Sequence, residues 1–320
     1  MTVRLTVDRA AWTAHVHATA MAYGHGLVPV VKGNGYGFGR RVLHETVRNA
    51  GAAHVCVGDV HELHDVPPAL TPVVLTPTLA APTSTRPVLT VGNVAHATAL
   101  HGWGGRVMVK LASSMHRHGA SPDQLDHLLQ AVHAAGVEVH AFAIHLPLAG
   151  DDAARLAEID AWLPRLPDGA PVWTSHLSPE SFHALQAAHP DRPWSVRVGT
   201  ALWHGLPKGD FLQLSADVLH HTRAAAGEPV GYRRTPMPFD GHVVSIGAGS
   251  AHGVAPLDTA DPARRSPFHF RRRRLTLLEP PHMHASLVAV PDGDPLPEVG
   301  DRVDVQRPLT TTTADEIEWT

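Results

Sequence analysis

Lysine is rare in this chain. Only Lys32, Lys110 and Lys208 appear among 26 basic residues, and the others are arginine. Each lysine is therefore a residue kept in a sequence that otherwise avoids the type. Lys32 lies in VVKGNGYGFG (30–39), at the end of an apolar, β-branched run. A lysine at the C-terminal end of a buried strand sits where barrel enzymes place their reacting groups. In an apolar setting such an amine loses its proton readily enough to condense with a carbonyl. Gly33, Gly35, Gly37 and Gly39 let the backbone approach a ligand, and Tyr36 offers a hydroxyl. The same residues also fit a glycine-rich turn with a solvated lysine, and chemistry alone does not choose between the two. Ser178-Pro179-Glu180 has the form of a helix N-cap followed by proline at the first helical position. A hydroxyl beside unpaired N–H groups suits an anion, although such a serine also serves simply as a cap. His282 and His284 alternate in a strand-like run and would share a face, half of a zinc or manganese site. Arg264 to Arg274, RRSPFHFRRRR, reads either as a solvated basic loop or as a site for phosphate or an acidic partner. With 26 histidines in the chain, one histidine alone carries little weight.

These groups need a scaffold, and the apolar runs supply it. VPVVK (28–32), HVCVG (54–58), PVVLT (72–76), PVLTVG (87–92), RVMVKL (106–111), VEVHAFAIHL (137–146), PVWTSHL (171–177) and WSVRVG (194–199) read as strands. Helical patterns or crossovers separate them, the clearest placing Leu125, Leu128, Leu129 and Val132 on one face. The spacing predicts an α/β fold, an eight-stranded (β/α)8 TIM-type barrel, over 1–212. A doubly wound sheet is the alternative, disfavoured by the lack of G-x-G-x-x-G after the first strand. Beyond 212 the helical period fades and strand-like runs such as HVVSIG, ASLVAV and DRVDV take over, so a mostly-β domain is expected over 213–320.

Composition narrows the function classes. The 320 residues are 43% apolar and 18% charged, enough for a substantial core. A formal charge of −4 gives no global basic field for nucleic acid. No uninterrupted apolar stretch is long enough to span a membrane. The opening MTVRLTVDRAAW does not read as a signal peptide, and a cytoplasmic location is expected. Cys56 is the only cysteine, so neither an intrachain disulfide nor a cysteine-built zinc cage can form within one chain.

VVKGNGYGFG resembles V-K-A-N-A-Y-G-H-G, the signature of the alanine racemase family, whose lysine carries pyridoxal 5′-phosphate (PLP) as a Schiff base. The family's layout is a barrel followed by a β domain. Further resemblances follow in order. KLASSMHRHG (110–119) resembles K-x-D-T-G-M-G-R-L-G, with Lys110 on the family's often carbamylated lysine, Arg117 on the arginine that reaches the cofactor's phenolic oxygen, and Ala112 in place of the aspartate. His145 in AIHLPLAG falls on the histidine that packs against the PLP ring. Ser178 falls on a phosphate-binding serine, with Ser175 an alternative because the preceding Asn is missing. SVRVGTALW (195–203) resembles R-P-G-I-A-L-Y. That places Arg197 against the pyridine nitrogen, where its fixed charge keeps the nitrogen unprotonated, and gives Gly199 and Thr200 backbone N–H contacts to phosphate. Met283 matches a methionine on the substrate side. IGAGSAHG, by contrast, puts Ala248 where the family has its second catalytic tyrosine, supplied by the partner subunit, with His252 four residues on as a possible substitute.

The resemblance implies a PLP-dependent amino-acid racemase. Lys32 would hold the cofactor and move the α-proton on one face, and Tyr36 would touch the phosphate. The substrate would be a small amino acid, alanine first, and the enzyme a homodimer with shared sites, with no metal, nucleic acid or membrane as partner. Two rival readings stay open. One is a metal-assisted PLP lyase of the D-threonine aldolase or D-serine dehydratase type, using His282 and His284. The other is a PLP-binding protein without turnover.

Overall fold

The computed structural model describes residues 2–257 and 265–320. The chain forms two compact units, one of Ala14–Gly35 with Gly39–Leu206, the other of Met1–Thr13, Tyr36–Phe38 and Pro207–Thr320. In chain order the first strands are β1 (Val3–Val7), β2 (Leu27–Pro29), β3 (His54–Val57), β4 (Thr71–Val74), β5 (Val88–Val91), β6 (Arg106–Lys110), β7 (Glu138–Ala143), β8 (Val172–Ser175) and β9 (Trp194–Val198). The helices are α1 (Arg9–Tyr23), α2 (Arg40–Asn49), α3 (Val94–Thr98), α4 (Leu125–Ala134), α5 (Asp152–Trp162), α6 (Pro179–Ala188) and α7 (Thr200–His204).

Strands β2 to β9 form one parallel sheet in the order β2-β9-β8-β7-β6-β5-β4-β3. A parallel bridge from Val30 to Cys56 joins its two ends and closes the barrel. The expected eight-stranded barrel is therefore present. Its strands read as continuous apolar runs because a closed parallel sheet is buried on both faces; all four residues of β5 are buried. Helix α4 turns Leu125, Leu128 and Val132 to the interior, as its period predicts. The strand ends then project the polar residues that follow each run into the C-terminal mouth.

The second unit is built on a nine-stranded sheet. Its strands are β10 (Leu212–Ala224), β11 (Pro229–Val230), β12 (Thr235–Pro236), β13 (Gly241–Ile246), β14 (Phe268–Phe270), β15 (Arg273–Arg274), β16 (Thr276–Leu277), β17 (Ser286–Pro291), β18 (Arg302–Val305) and β19 (Glu316–Trp319), with β11 and β12 forming a separate two-stranded ribbon. Long β10 pairs antiparallel with β1, β13 and β18. The expected division at 212/213 thus differs from the observed one at the N terminus. Val3, Leu5 and Val7 are fully buried in the β unit, where β1 lies between β10 and β19. Nothing local in the sequence marks these partners, which lie more than 200 residues away.

Two further expectations need correction. His282 and His284 do not lie on a strand. Pro280 and Pro281 cannot donate to a ladder, a turn closes from His282 N–H to Ala285 O, and β17 begins only at Ser286. Of the expected basic loop, Arg264 lies outside the described residues. Arg271 and Arg272 form the two-residue turn of the β14–β15 hairpin, with φ 48° and 67°. Among the described residues no helix is long and apolar enough to cross a membrane.

Candidate functional site

The mouth of the barrel collects the groups that the strand ends carry. Lys32 follows β2, Lys110 ends β6, His145 follows β7, Ser175 ends β8 and Arg197 lies on β9. Burial lowers the Lys32 pKa, and the charges of Arg117 and Arg197 lower it further, while Glu62 opposes them. The amine is thereby biased toward its unprotonated, nucleophilic form. Lys110 is 4% exposed, its Nζ has no hydrogen-bond partner, and burial drives its pKa well below the usual value. Arg197 donates from Nε to Thr174 O at 3.2 Å and from Nη2 to Ile144 O, which fixes its guanidinium across the strand ends. Arg117 is exposed in the loop after β6.

His145 stands among these cations. The Ser175 hydroxyl accepts from Leu146 N–H at 3.2 Å and lies in hydrogen-bond contact with His145 Nδ1 at 2.8 Å. Burial, then Arg197 and Lys110, push the His145 pKa down to about 2, so the ring is neutral at any working pH. Beside it lies His176, a residue the sequence reading passed over. Its backbone has φ 62° and its ring centroid is 4.9 Å from that of His145. Sequence offers no signature for a histidine in the left-handed region.

The glycine-rich turn after Lys32 is held by a carboxylate that was likewise not foreseen. Glu62 accepts the Gly33 N–H at 2.7 Å through Oε1 and the Gly58 N–H at 2.6 Å through Oε2. Arg40 donates to Gly33 O at 2.7 Å and pairs with Asp65 at 2.7 Å. Gly35 has φ 64°, and a Cβ there would meet Arg40 N at 2.4 Å, so only glycine fits.

At the far side of the mouth, Ser178 caps α6 by accepting from Ser181 N–H at 3.2 Å. Its own N–H donates to Asp152 Oδ2 at 2.9 Å, so a carboxylate of the chain already sits at this helix start. Those bonds and Arg155 hold the Asp152 pKa near 2, against the burial that would raise it. Gly199 and Thr200 open α7. The barrel unit thus brings together Lys32, Lys110, Arg117, His145, Ser178, Arg197, Gly199 and Thr200 at the C-terminal ends of its strands.

Residues 7–207 match the family described as alanine racemase, N-terminal domain. The chain belongs to the alanine racemase family. Solved structures share the fold at low identity. The alanine racemase from Bartonella henselae, with covalently bound pyridoxal phosphate, is 19% identical with a TM-score of 0.76 over 100% of both chains. That of Bacillus anthracis with bound L-Ala-P is 17% identical with a TM-score of 0.75, over 95% of this chain and 85% of the other. That of D-cycloserine-producing Streptomyces lavendulae is 19% identical with a TM-score of 0.74, over 100% and 97%. No curated protein matches the chain.

The remaining expected residues of this family member lie in the β unit. Tyr36 is buried, with φ 57°, and clusters there. Met283 is 67% exposed. Ala248 is fully buried, so that position presents no functional group and has no open space for a phenol. His252 is buried with both ring nitrogens engaged. Nδ1 accepts from Gly249 N–H at 3.1 Å, and Nε2 lies 3.3 Å from Asp315 Oδ2. A ring committed in this way braces its own loop, which Ser250 N–H and Ala251 N–H also tie to His282 O and Met283 O. Gly249 is obligatory there, since a Cβ would meet His282 O at 2.2 Å. His282 pairs with Glu279 Oε1 at 2.5 Å and His284 lies against the His252 ring, 5.9 Å between centroids, so the two histidines turn to different partners.

Proposed function

We propose that the chain is a PLP-dependent racemase of small amino acids, alanine first, with Lys32 as the cofactor-holding residue. The observation that carries this is the Lys32 amine, held with a lowered pKa at a barrel strand end beside Arg117 and Arg197. The mouth fits an anionic aldehyde. Among the described residues Lys32, Lys110, Arg117 and Arg197 have no carboxylate ion-pair partner: Glu62 is spent on two backbone N–H groups, Asp152 on Ser178 N–H and Arg155, and the Lys110 Nζ lacks a hydrogen-bond partner. When bound, PLP supplies an electron-withdrawing ring that acidifies the α C–H of an attached amino acid.

The residues divide the remaining work. Lys32 would hold the cofactor through its amine and would serve as the proton carrier at the substrate α-carbon on one face. Arg197, immobilised on two carbonyls, would hold the cofactor's ring nitrogen and keep it unprotonated. His145 would hold the ring without adding charge, and Arg117 would bind the phenolic oxygen. Gly199 and Thr200 offer N–H groups to the phosphate, with Tyr36 as the family's further contact. Ser178 joins them only if Asp152 gives up its N–H. Lys110 would border the substrate, and the homodimer is the assembly this reading expects. The test is direct. Borohydride should fix PLP to the purified protein but not to Lys32→Ala, and the loaded parent should interconvert L- and D-alanine. A parent that fixes no PLP, or a Lys32→Ala variant that fixes it equally, refutes the reading.

A further inference from the structure

The β unit holds a cavity of its own, and the backbone explains why it is there. Strand β15 pairs with β14 and β16 pairs with β17, although only Leu275 separates β15 from β16. The β16–β17 ladder stops at Thr276–Ala289. Continued, it would bring Arg274 opposite Pro291. Proline has no N–H to give, and the Pro291 carbonyl is already taken by Asp294 N–H at 3.2 Å. The strands therefore part, and a cavity of about 170 Å³ opens between them. Phe270, Leu275, Ala289, Val290 and Pro295 give it apolar walls. The turn after Pro291 brings Asp294 to the same cavity, where it pairs with Arg273.

We propose that this cavity binds a zwitterionic amino acid with a small apolar side chain. The site lies wholly within the β unit and depends on neither Lys32 nor its cofactor.

Size sets the first limit. A cavity of about 150 Å³ admits a benzene-sized molecule. The cavity between β15 and β17 thus takes about six or seven non-hydrogen atoms, the size of alanine, and takes valine when the charged head stands at the rim. Arg273 marks that rim, with 59% of its side chain exposed, while Asp294 is 18% exposed.

Charge then decides the class. Successive side chains on a strand point to opposite faces. Arg274 accordingly turns to Ser266 O and Gln306 Oε1, neither of which lines the cavity. Arg273 and Asp294 remain as its charged pair, neutral as a whole. A lone carboxylate in the cavity would meet Asp294, and a lone ammonium would meet Arg273. A neutral apolar molecule would fill the walls and gain nothing from the pair. A zwitterion laid antiparallel to the pair sets each charge against its opposite. Both partners have capacity for it. Among the described residues only Nη1 of Arg273 and Oδ1 of Asp294 are engaged. A guanidinium carries five N–H groups and a carboxylate about four lone-pair sites. The α-carboxylate is therefore received by Nε and Nη2 of Arg273 and the α-ammonium by Oδ2 of Asp294, with the Arg273–Asp294 bond kept.

Titration calorimetry of the full chain tests this with three probes. They are valine, 3-methylbutanoate, which lacks the amine, and 2-methylpropylamine, which lacks the carboxylate. The protein is first treated with PLP and borohydride, so that Lys32 is capped wherever it holds the cofactor. A chain that fixes no PLP is titrated as purified, and that failure bears on the racemase reading alone. Valine should bind saturably, and loss of either charge should weaken binding by ~10-fold or more, the worth of one hydrogen bond to a charged group. Arg273→Gln and Asp294→Asn should each weaken valine to the same degree while borohydride fixation at Lys32 is unchanged. The three probes need only the parent, so they decide the matter even where a variant does not fold. No saturable binding of valine, either analogue binding as tightly as valine, or an unchanged valine affinity in either folded variant overturns the proposal.

Discussion

Acid should destabilise the barrel through its neutral histidines, and His140 offers the cleanest measure. It lies on β7 with its ring 5.4 Å from His54 and 5.9 Å from Trp173, away from the groups at the strand ends. Burial first, then His54 and Arg106, push its pKa from 6.5 to about 4. In the unfolded chain the same imidazole takes up its proton near the ordinary value. The sign follows directly. Above 6.5 both states are neutral and the shift contributes nothing; between 6.5 and 4 only the unfolded state gains the proton, so stability falls with pH across that window and levels off below it. The fall from 6.5 to about 4 corresponds to at most about 3.4 kcal/mol, and water reaching a half-buried ring brings the expected loss to about 2 kcal/mol. His140→Gln removes this titration. Urea midpoints of parent and variant, measured from pH 7.5 to 4.5, should converge as pH falls, the variant losing less. Parallel curves over the whole range would show that His140 is not held neutral and that the argument is wrong.

Glu62→Gln leaves one of the Gly33 and Gly58 N–H groups without its charged acceptor and should cost about 2–3 kcal/mol in urea unfolding. Because Glu62 raises the Lys32 pKa, the same variant should label with PLP and borohydride at lower pH than the parent; an unchanged pH profile would count against the assigned electrostatics. His252→Ala removes the contacts to Gly249 and Asp315 and should cost about 1–3 kcal/mol while PLP fixation at Lys32 is unchanged. Normal stability with lost racemisation would instead return His252 to the chemistry.

The barrel was legible because a closed parallel sheet demands repeated β-branched runs, and each of the eight is visible in the sequence. Lys32 stood out as a rare lysine at such a run's end, but only the family resemblance chose between a reacting amine and a solvated one beside a glycine-rich turn. The residues that escaped notice are those whose roles depend on distant partners. Glu62 acts on Gly33 from 29 residues away, and Asp152 reaches Ser178 across 26. His176 is distinguished by a dihedral angle that no neighbouring residue type announces. The alternation in His282-Met283-His284 misled because it matched the strand period, while Pro280 and Pro281 had already denied the segment its ladder. The contacts of His252 with Gly249 and Asp315 likewise leave no mark in the sequence.

The neighbours of β1 set an order of events for the growing chain. Arg4 bonds to Glu316, 312 residues later, and the same strand zips onto β10. The ribosome therefore releases Val-Arg-Leu-Thr-Val long before either partner exists, and the whole barrel sequence emerges in between. At a few to twenty residues per second this strand waits on the order of tens of seconds with its apolar side unmatched. Arg4 and Thr6 on the other side are then its only safeguard against pairing with a neighbouring nascent chain. Polysome density and chaperone supply, more than the equilibrium stability of the finished molecule, should govern how much of this protein survives its own synthesis.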